Sequence, residues 1–254
     1  MIINIDSSVE RREQIKKQLD EQGTTYMIVD AINGLNLECE QYRLKVSKML
    51  DIPEEKLRPS YFLCKKNFQS MCKKWKSLAP RVGCFLSHYK CLKLAYDHDM
   101  IQACILEDDI EILKNLNEIK TPFLNTDYDI QYLGGSARPL PYWTAKGYYD
   151  CKEIELYGTF GYMIGNQFSI MKIYKGLRSC FDEGTRKMTY HPSHRLSASN
   201  IDNFYKRYFH KYSVALYPPY VKHKDEIEST IDKSKKYKNR YGLKCMSVVD
   251  ITDI

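Results

Sequence analysis

The sequence has no apolar run approaching the roughly 20 residues needed to span a bilayer. Its first residues, Met1-Ile-Ile-Asn-Ile-Asp6, turn polar at once and form no signal-peptide core. Both features predict a soluble, cytoplasmic protein, with membrane association only at the periphery. The nine cysteines are odd in number and form no C-x-x-C pair, which argues against a disulfide framework and against a zinc site. Several sit in apolar settings (Cys84, Cys91, Cys104), where cysteine behaves as a small core residue, so they read as reduced thiols. There is no internal repeat and no low-complexity tract.

The 254 residues, 43% hydrophobic and 28% charged, make one domain of good size with a real core. A net charge of +7 favours acidic substrates such as nucleotide phosphates. It does not establish nucleic-acid binding: the 21 tyrosines are dispersed and follow no single basic stripe. The expectation is therefore no nucleic-acid partner.

The chain opens with a short apolar strand at 1–5, and Ser7 and Glu10 follow at capping-box spacing. The helix they open runs to about Leu19 and is ended by Gly23. A second strand at 24–29 closes in Asp30-Ala31-Ile32-Asn33-Gly34, a run of turn-tolerant residues. Strand, helix, strand predicts a parallel βαβ unit. Residues 36–80 are expected to be a helical insertion or lid (helix at 38–50, breaks at Pro53 and Pro59), and a second helix is predicted over 81–97. Further strands are expected at 128–133, 156–165 and 212–216, and helices at 167–177 and 200–209. The aromatic, Pro- and Gly-rich loop 136–149 is a candidate sugar pocket. The alternation predicts an α/β sandwich in a single domain over 1–232, followed by a basic tail at 233–254.

The most informative stretch is 101–110, Ile-Gln-Ala-Cys-Ile-Leu-Glu-Asp-Asp-Ile, a buried-strand pattern ending in three carboxylates. Such acids fall at the rim of a sheet, where open α/β folds bind ligands. Strand alternation predicts Glu107 and Asp109 on one face and Asp108 on the other. Acids sharing a face call for a cation, and a hard divalent ion bridging to substrate phosphates is the usual solution.

The chain resembles glycosyltransferase family 25, the lipooligosaccharide and collagen galactosyltransferase-like group. The resemblance rests on segments in family order. They are Ile3-Asn4-Ile5-Asp6 with Arg11-Arg12, Asp30-Ala31-Ile32-Asn33-Gly34, Gly83-Cys84-Phe85-Leu86-Ser87-His88 and Ile105-Leu106-Glu107-Asp108-Asp109. Gly158-Thr159-Phe160-Gly161-Tyr162-Met163-Ile164 and Pro218-Pro219-Tyr220-Val221 leading to Ser229-Thr230-Ile231 complete the set. It implies a GT-A-like fold with a mixed, mainly parallel sheet, a UDP-hexose donor (galactose or glucose), Mn²⁺ or Mg²⁺, and a glycan or glycoprotein hydroxyl as acceptor, with inversion. Asp109 is then expected to bind metal, with Glu107 or Asp108 holding ribose or supporting the ligands. A C-terminal histidine completes the metal shell in many such enzymes, and His223 is placed to do so. Asn4, Asp6 and Arg12 are expected at the donor, as are Ser87 and His88 through the donor or the acidic triplet. Asp202 is the candidate base for the acceptor hydroxyl, with Glu183 and Asp225 as alternatives. A catalytically silent GT-A-fold protein that only binds nucleotide sugars or glycans is the rival reading.

Overall fold

The computed structural model describes residues 1–62, 71–119, 128–138, 148–152, 155–181, 201–216 and 219–224. β1 (Ile2–Asn4), α1 (Val9–Asp20) and β2 (Ile28–Asp30) form the expected βαβ unit, with β1 and β2 parallel and Asn4 opposite Asp30. Only Ile15 and Leu19 of α1 are buried, and Gly23 ends the helix region in a left-handed conformation (φ +63°). The expected capping box is not made: the N-cap is Ser8, and its hydroxyl instead accepts from Arg11.

Beyond β2 come α2 (Glu40–Leu50), the single turn α3 (Pro59–Phe62) and the long α4 (Met71–Asp97). α4 starts ten residues before the expected position because it runs through Pro80. Proline lacks the N–H and normally marks a helix start or break. Here Trp75, Leu78, Ala79, Val82, Phe85 and Leu86 are all buried, and that packing outweighs the lost bond. The described part of 36–80 likewise sends Leu37, Val46, Leu50, Ile52, Leu57 and Phe62 into the main core.

β3 (Ala103–Glu107) follows and pairs parallel with β1. β4 (Ile110–Ile112), β5 (Ile130–Tyr132), β6 (Ser136–Arg138), β7 (Tyr148–Asp150), β8 (Glu155–Tyr157) and β9 (Gly161–Ile164) come next. The chain then runs through α5 (Gln167–Arg178), α6 (Ile201–Tyr208), β10 (Ser213–Leu216) and β11 (Val221–His223). The main sheet has seven strands in the order β2-β1-β3-β9-β5-β10-β7. β9 is antiparallel to both β3 and β5, and β7 is antiparallel to β10, so the other five strands run one way. The single strand expected over 156–165 is two strands, because Gly158 at φ +98° breaks the extended run between them. β4 pairs with β11, and β6 with β8, in separate two-stranded sheets.

One sheet face packs Ile3, Ile105, Ile130, Tyr162 and Ile164 into the core that holds α4, α5 and α6. The other packs Ile2, Leu106, Leu133 and Leu216 with Ile15 and Leu19 of α1. Helices on both faces make an α/β sandwich with a GT-A-like order of elements. Cys39, Cys84, Cys91, Cys104, Cys151 and Cys180 are free thiols. No helix among the described residues is long and apolar enough to cross a membrane. The tail 233–254 and the greater part of the loop 136–149 lie outside the described residues.

Candidate active site

From β1 the chain reaches β2 on one side and later β3 on the other, so the C-terminal ends of β1 and β3 flank a topological switch point. Open α/β sheets bind ligands in the crevice there. The residues at this point are Asn4, at the end of β1, and Glu107-Asp108-Asp109, at the end of β3.

The acidic residues do not follow strand alternation. β3 ends at Glu107, and Asp108-Asp109 form a turn into β4, which re-aims both side chains. Asp108 and Asp109 share Arg11, whose Nη1 lies 3.3 Å from Asp108 Oδ1 and 3.5 Å from Asp109 Oδ2. Asn4 Nδ2 donates to Asp108 Oδ2 at 2.6 Å. Burial pushes the Asp108 carboxyl up to about 6, against the pull of Arg11 and the Asn4 hydrogen bond. Burial acts on Asp109 in the same direction, but there the hydrogen bond and charge of His223, together with Arg11, win and hold it below the ordinary carboxylate range.

His223 comes from far along the chain. β11 pairs antiparallel with β4 so that His223 lies opposite Ile110, and the Lys224 N–H donates to the Asp109 carbonyl at 3.0 Å. His223 Nε2 then sits 3.3 Å from Asp109 Oδ2. Among the described residues, Asp109 Oδ1 is buried without a hydrogen-bond partner. A buried carboxylate oxygen left without a donor, beside an imidazole, is a donor set that suits Mn²⁺.

Glu107 points towards α4. Its Oε1 lies 3.1 Å from His88 Nε2 and 4.0 Å from Cys84 Sγ. His88 is fully buried, and its Nδ1 meets the Tyr162 hydroxyl at 2.9 Å. Ser87 is buried too: it donates to the Gly83 carbonyl at 2.7 Å and accepts from the Ile32 N–H at 2.8 Å. Of the two partners expected for this pair, the donor or the acidic triplet, His88 meets the triplet through Glu107. Both side chains are spent inside the protein, Ser87 fastening the loop after β2 to α4 and His88 holding Glu107.

Asp202 stands in the first turn of α6, with Thr159 and the Gly158 backbone as hydrogen-bond partners. Burial raises its pKa, and Glu107 adds to the rise against the pull of Thr159. Burial also pushes the Cys84 thiol well up, with Glu107, Asp202 and Asp109 reinforcing it. Carboxylates from two distant parts of the chain thus act on one thiol, which Glu107 touches. Glu183 and Asp225 lie outside the described residues.

Asp6 and Arg12 stand apart from the acids. Asp6 is almost fully exposed and pairs with Arg12 at 3.5 Å, and Arg12 also meets Glu13 at 3.6 Å. Asp6 does line a cleft of about 490 Å³ above β1 and β2, with Asp30, Ala31, Asn33, Tyr42, Lys45 and Lys90 among its other walls. Its size suits a small ligand. Sequence reasoning favoured Arg12 where the structure uses Arg11, and it gave no role to Cys84, Tyr162, Tyr205 or Thr159. No spacing separates the two: Arg11 lies four and eight residues before Ile15 and Leu19, and Arg12 three and seven, so both flank the inward stripe of α1.

An α/β sandwich with an acidic turn at its switch point and a histidine returned to it by a late strand defines a GT-A-like protein. Residues 1–169 match the family described as glycosyltransferase family 25 (LPS biosynthesis protein), and the chain belongs to that family. It is also similar to procollagen galactosyltransferase 1-A of Xenopus laevis, 28% identical over 141 residues that make up 52% of this chain. The matched part is 20% of that relative's length.

Proposed function

We propose that the protein is a metal-dependent glycosyltransferase that moves a hexose, galactose or glucose, from a UDP-sugar to a hydroxyl of a glycan or glycoprotein, with inversion. The observation that carries this reading is the Asp109–His223 pair at the switch point, with its partnerless buried carboxylate oxygen. Family membership and the galactosyltransferase relative support the reaction class.

Asp109 and His223 would hold Mn²⁺ or Mg²⁺, which supplies charge stabilisation to the departing diphosphate. Arg11 adds a fixed positive charge next to the same carboxylates, and Asn4 fixes the Asp108 rotamer. The cleft takes the nucleoside, with Asp6, Lys45 and Lys90 at its wall. Asp202 accepts the proton of the acceptor hydroxyl as that oxygen attacks the anomeric carbon. The bond from that carbon to the diphosphate breaks, and its electron pair leaves with the UDP.

The test is UDP release from a panel of UDP-sugars with and without Mn²⁺. Release from one sugar, abolished by EDTA and reduced at least about a hundredfold in Asp109→Asn, is the expected outcome. No release from any donor, together with no thermal stabilisation by UDP and Mn²⁺, would favour the silent binding protein.

A further inference from the structure

The core beside the site contains an unbroken chain of hydrogen bonds. Tyr205 on α6 meets Tyr162 on β9, hydroxyl to hydroxyl, at 3.0 Å. Tyr162 Oη meets His88 Nδ1 at 2.9 Å, and His88 Nε2 meets Glu107 Oε1 at 3.1 Å. Tyr162 and Tyr205 are fully buried, as is His88. We propose that His88 and Tyr162 are positioning residues that lock Glu107 in the orientation donor binding requires.

The proton arrangement follows from what each group can offer. Glu107 Oε1 already accepts from the Cys84 thiol, and in the same acceptor role it takes a hydrogen from His88 Nε2, which therefore carries the proton and donates. A neutral imidazole then has a bare Nδ1, which accepts from the Tyr162 hydroxyl. The Tyr162 oxygen accepts in turn from Tyr205. Every bond in the chain has one donor and one acceptor, and a single histidine tautomer is specified, as in the supporting shells of metal and catalytic sites. Cys84 also donates to Oε1, so both contacts hold one oxygen of Glu107 and Oε2 is left for a ligand.

The chain ties four elements together, with Tyr162 on β9 at its middle. Tyr205 lies one turn beyond Asp202 on α6, His88 lies one turn beyond Cys84 on α4, and Glu107 is the last residue of β3. Glu107 is thereby set against the helix that carries Asp202. Cys84, His88 and Glu107 also offer ligand atoms within 4.8 Å of one another, so a thiophilic metal is the competing occupant of the same space. The hydrogen bonds favour the positioning role, because His88 Nε2 is aimed at Oε1 itself and the buried thiol is protonated.

This inference rests on the transferase reading for its UDP–Mn²⁺ binding arm only; its spectroscopic arm does not. Nitrogen NMR of the whole protein labelled at histidine should show His88 as the neutral tautomer protonated at Nε2. A His88 protonated at Nδ1 instead would overturn the proposal. His88→Gln, whose amide can place an N–H where Nε2–H was, should keep UDP–Mn²⁺ affinity within about threefold, and His88→Leu should lose about tenfold or more. Tyr162→Phe should lose about tenfold with its Tm little changed. Equal losses in His88→Gln and His88→Leu would overturn the donor role, whether or not either variant transfers sugar. If a Zn²⁺ titration instead protected Cys84 from alkylation at stoichiometric metal, the cluster would be a metal site and the proposal would fall.

Discussion

At the scale of single residues, the base role proposed for Asp202 sets stability and chemistry against each other. Its pKa is raised, first by burial and then by Glu107, so folding favours its protonated form. The folded state therefore binds the extra proton above the ordinary carboxylate value, and stability falls as pH rises through the folded pKa. Replacing Asp202 with Asn removes that buried charge, so at pH 8 the variant should be at least as stable as the parent while transfer drops about a thousandfold. Thermal melts and acceptor-dependent turnover check both halves, and a drop of several degrees would mark the carboxylate as structural. In the parent, kcat/KM should fall on the acid side at a pH above that of a free aspartate, because the base must be ionised to act. Of the residues named from sequence, Asn4, Asp108, Asp109 and His223 come together: the acids are a local pattern after a strand end, whereas Asn4 and His223 are brought to them by the pairing of β1 with β3 and of β11 with β4. Asp6 and Arg12 do not join them, because which of two adjacent arginines faces inward depends on helix phase. His88 stood out as a histidine on an apolar helix, but its partner Tyr162 is 74 residues away and no spacing announces that contact.

At the scale of elements, the contact between α4 and the loop after β2 sets one wall of the cleft over β1 and β2. A Cβ on Gly34 would lie 1.7 Å from the Ala79 carbonyl oxygen, and one on Gly83 would lie 2.4 Å from that of Ile32. Both obstacles are backbone, so neither can swing aside as a side chain could. Gly83→Ala should cost about 1–3 kcal/mol by overpacking and weaken UDP binding further, since Ile32 and Asn33 line the cleft. Denaturant melts and UDP titration check it; an unchanged melt would mean that the loop is not held against the helix. This contact explains why α4 was only half legible. The apolar spacing after Arg81 was plain, but Pro80 looked like a beginning, and the burial of Trp75 and Leu78 that carries the helix through it is tertiary. The short strands β4 and β11 were missed for a related reason: three residues each carry no period, and they exist by pairing with one another.

At the scale of the whole molecule, the family match ends at residue 169, but the structure does not divide there. β10 lies between β5 and β7, so its loss would leave β5 with a raw edge. Ile170, Ile173 and Leu177 of α5, Ile201 and Phe204 of α6, and Val214 of β10 are buried. Burying each such side chain contributes about 1.5–3 kcal/mol, and a typical domain has only about 5–15 kcal/mol in total. A fragment of residues 1–169 should therefore show no cooperative unfolding and should bind ANS as an expanded, loosely packed state. It would also lack Asp202 and His223, so UDP–Mn²⁺ should not stabilise it. A milder cut separates the two losses. A Cβ on Gly134 would lie 2.0 Å from the Val221 carbonyl oxygen, so Gly134→Ala should push β11 off its seat and carry His223 away from Asp109. That variant should keep a cooperative melt and lose at least about tenfold in Mn²⁺ affinity. If it keeps the parent's metal affinity while the fragment 1–169 folds, the acidic turn would be sufficient alone and the late strand would serve another purpose.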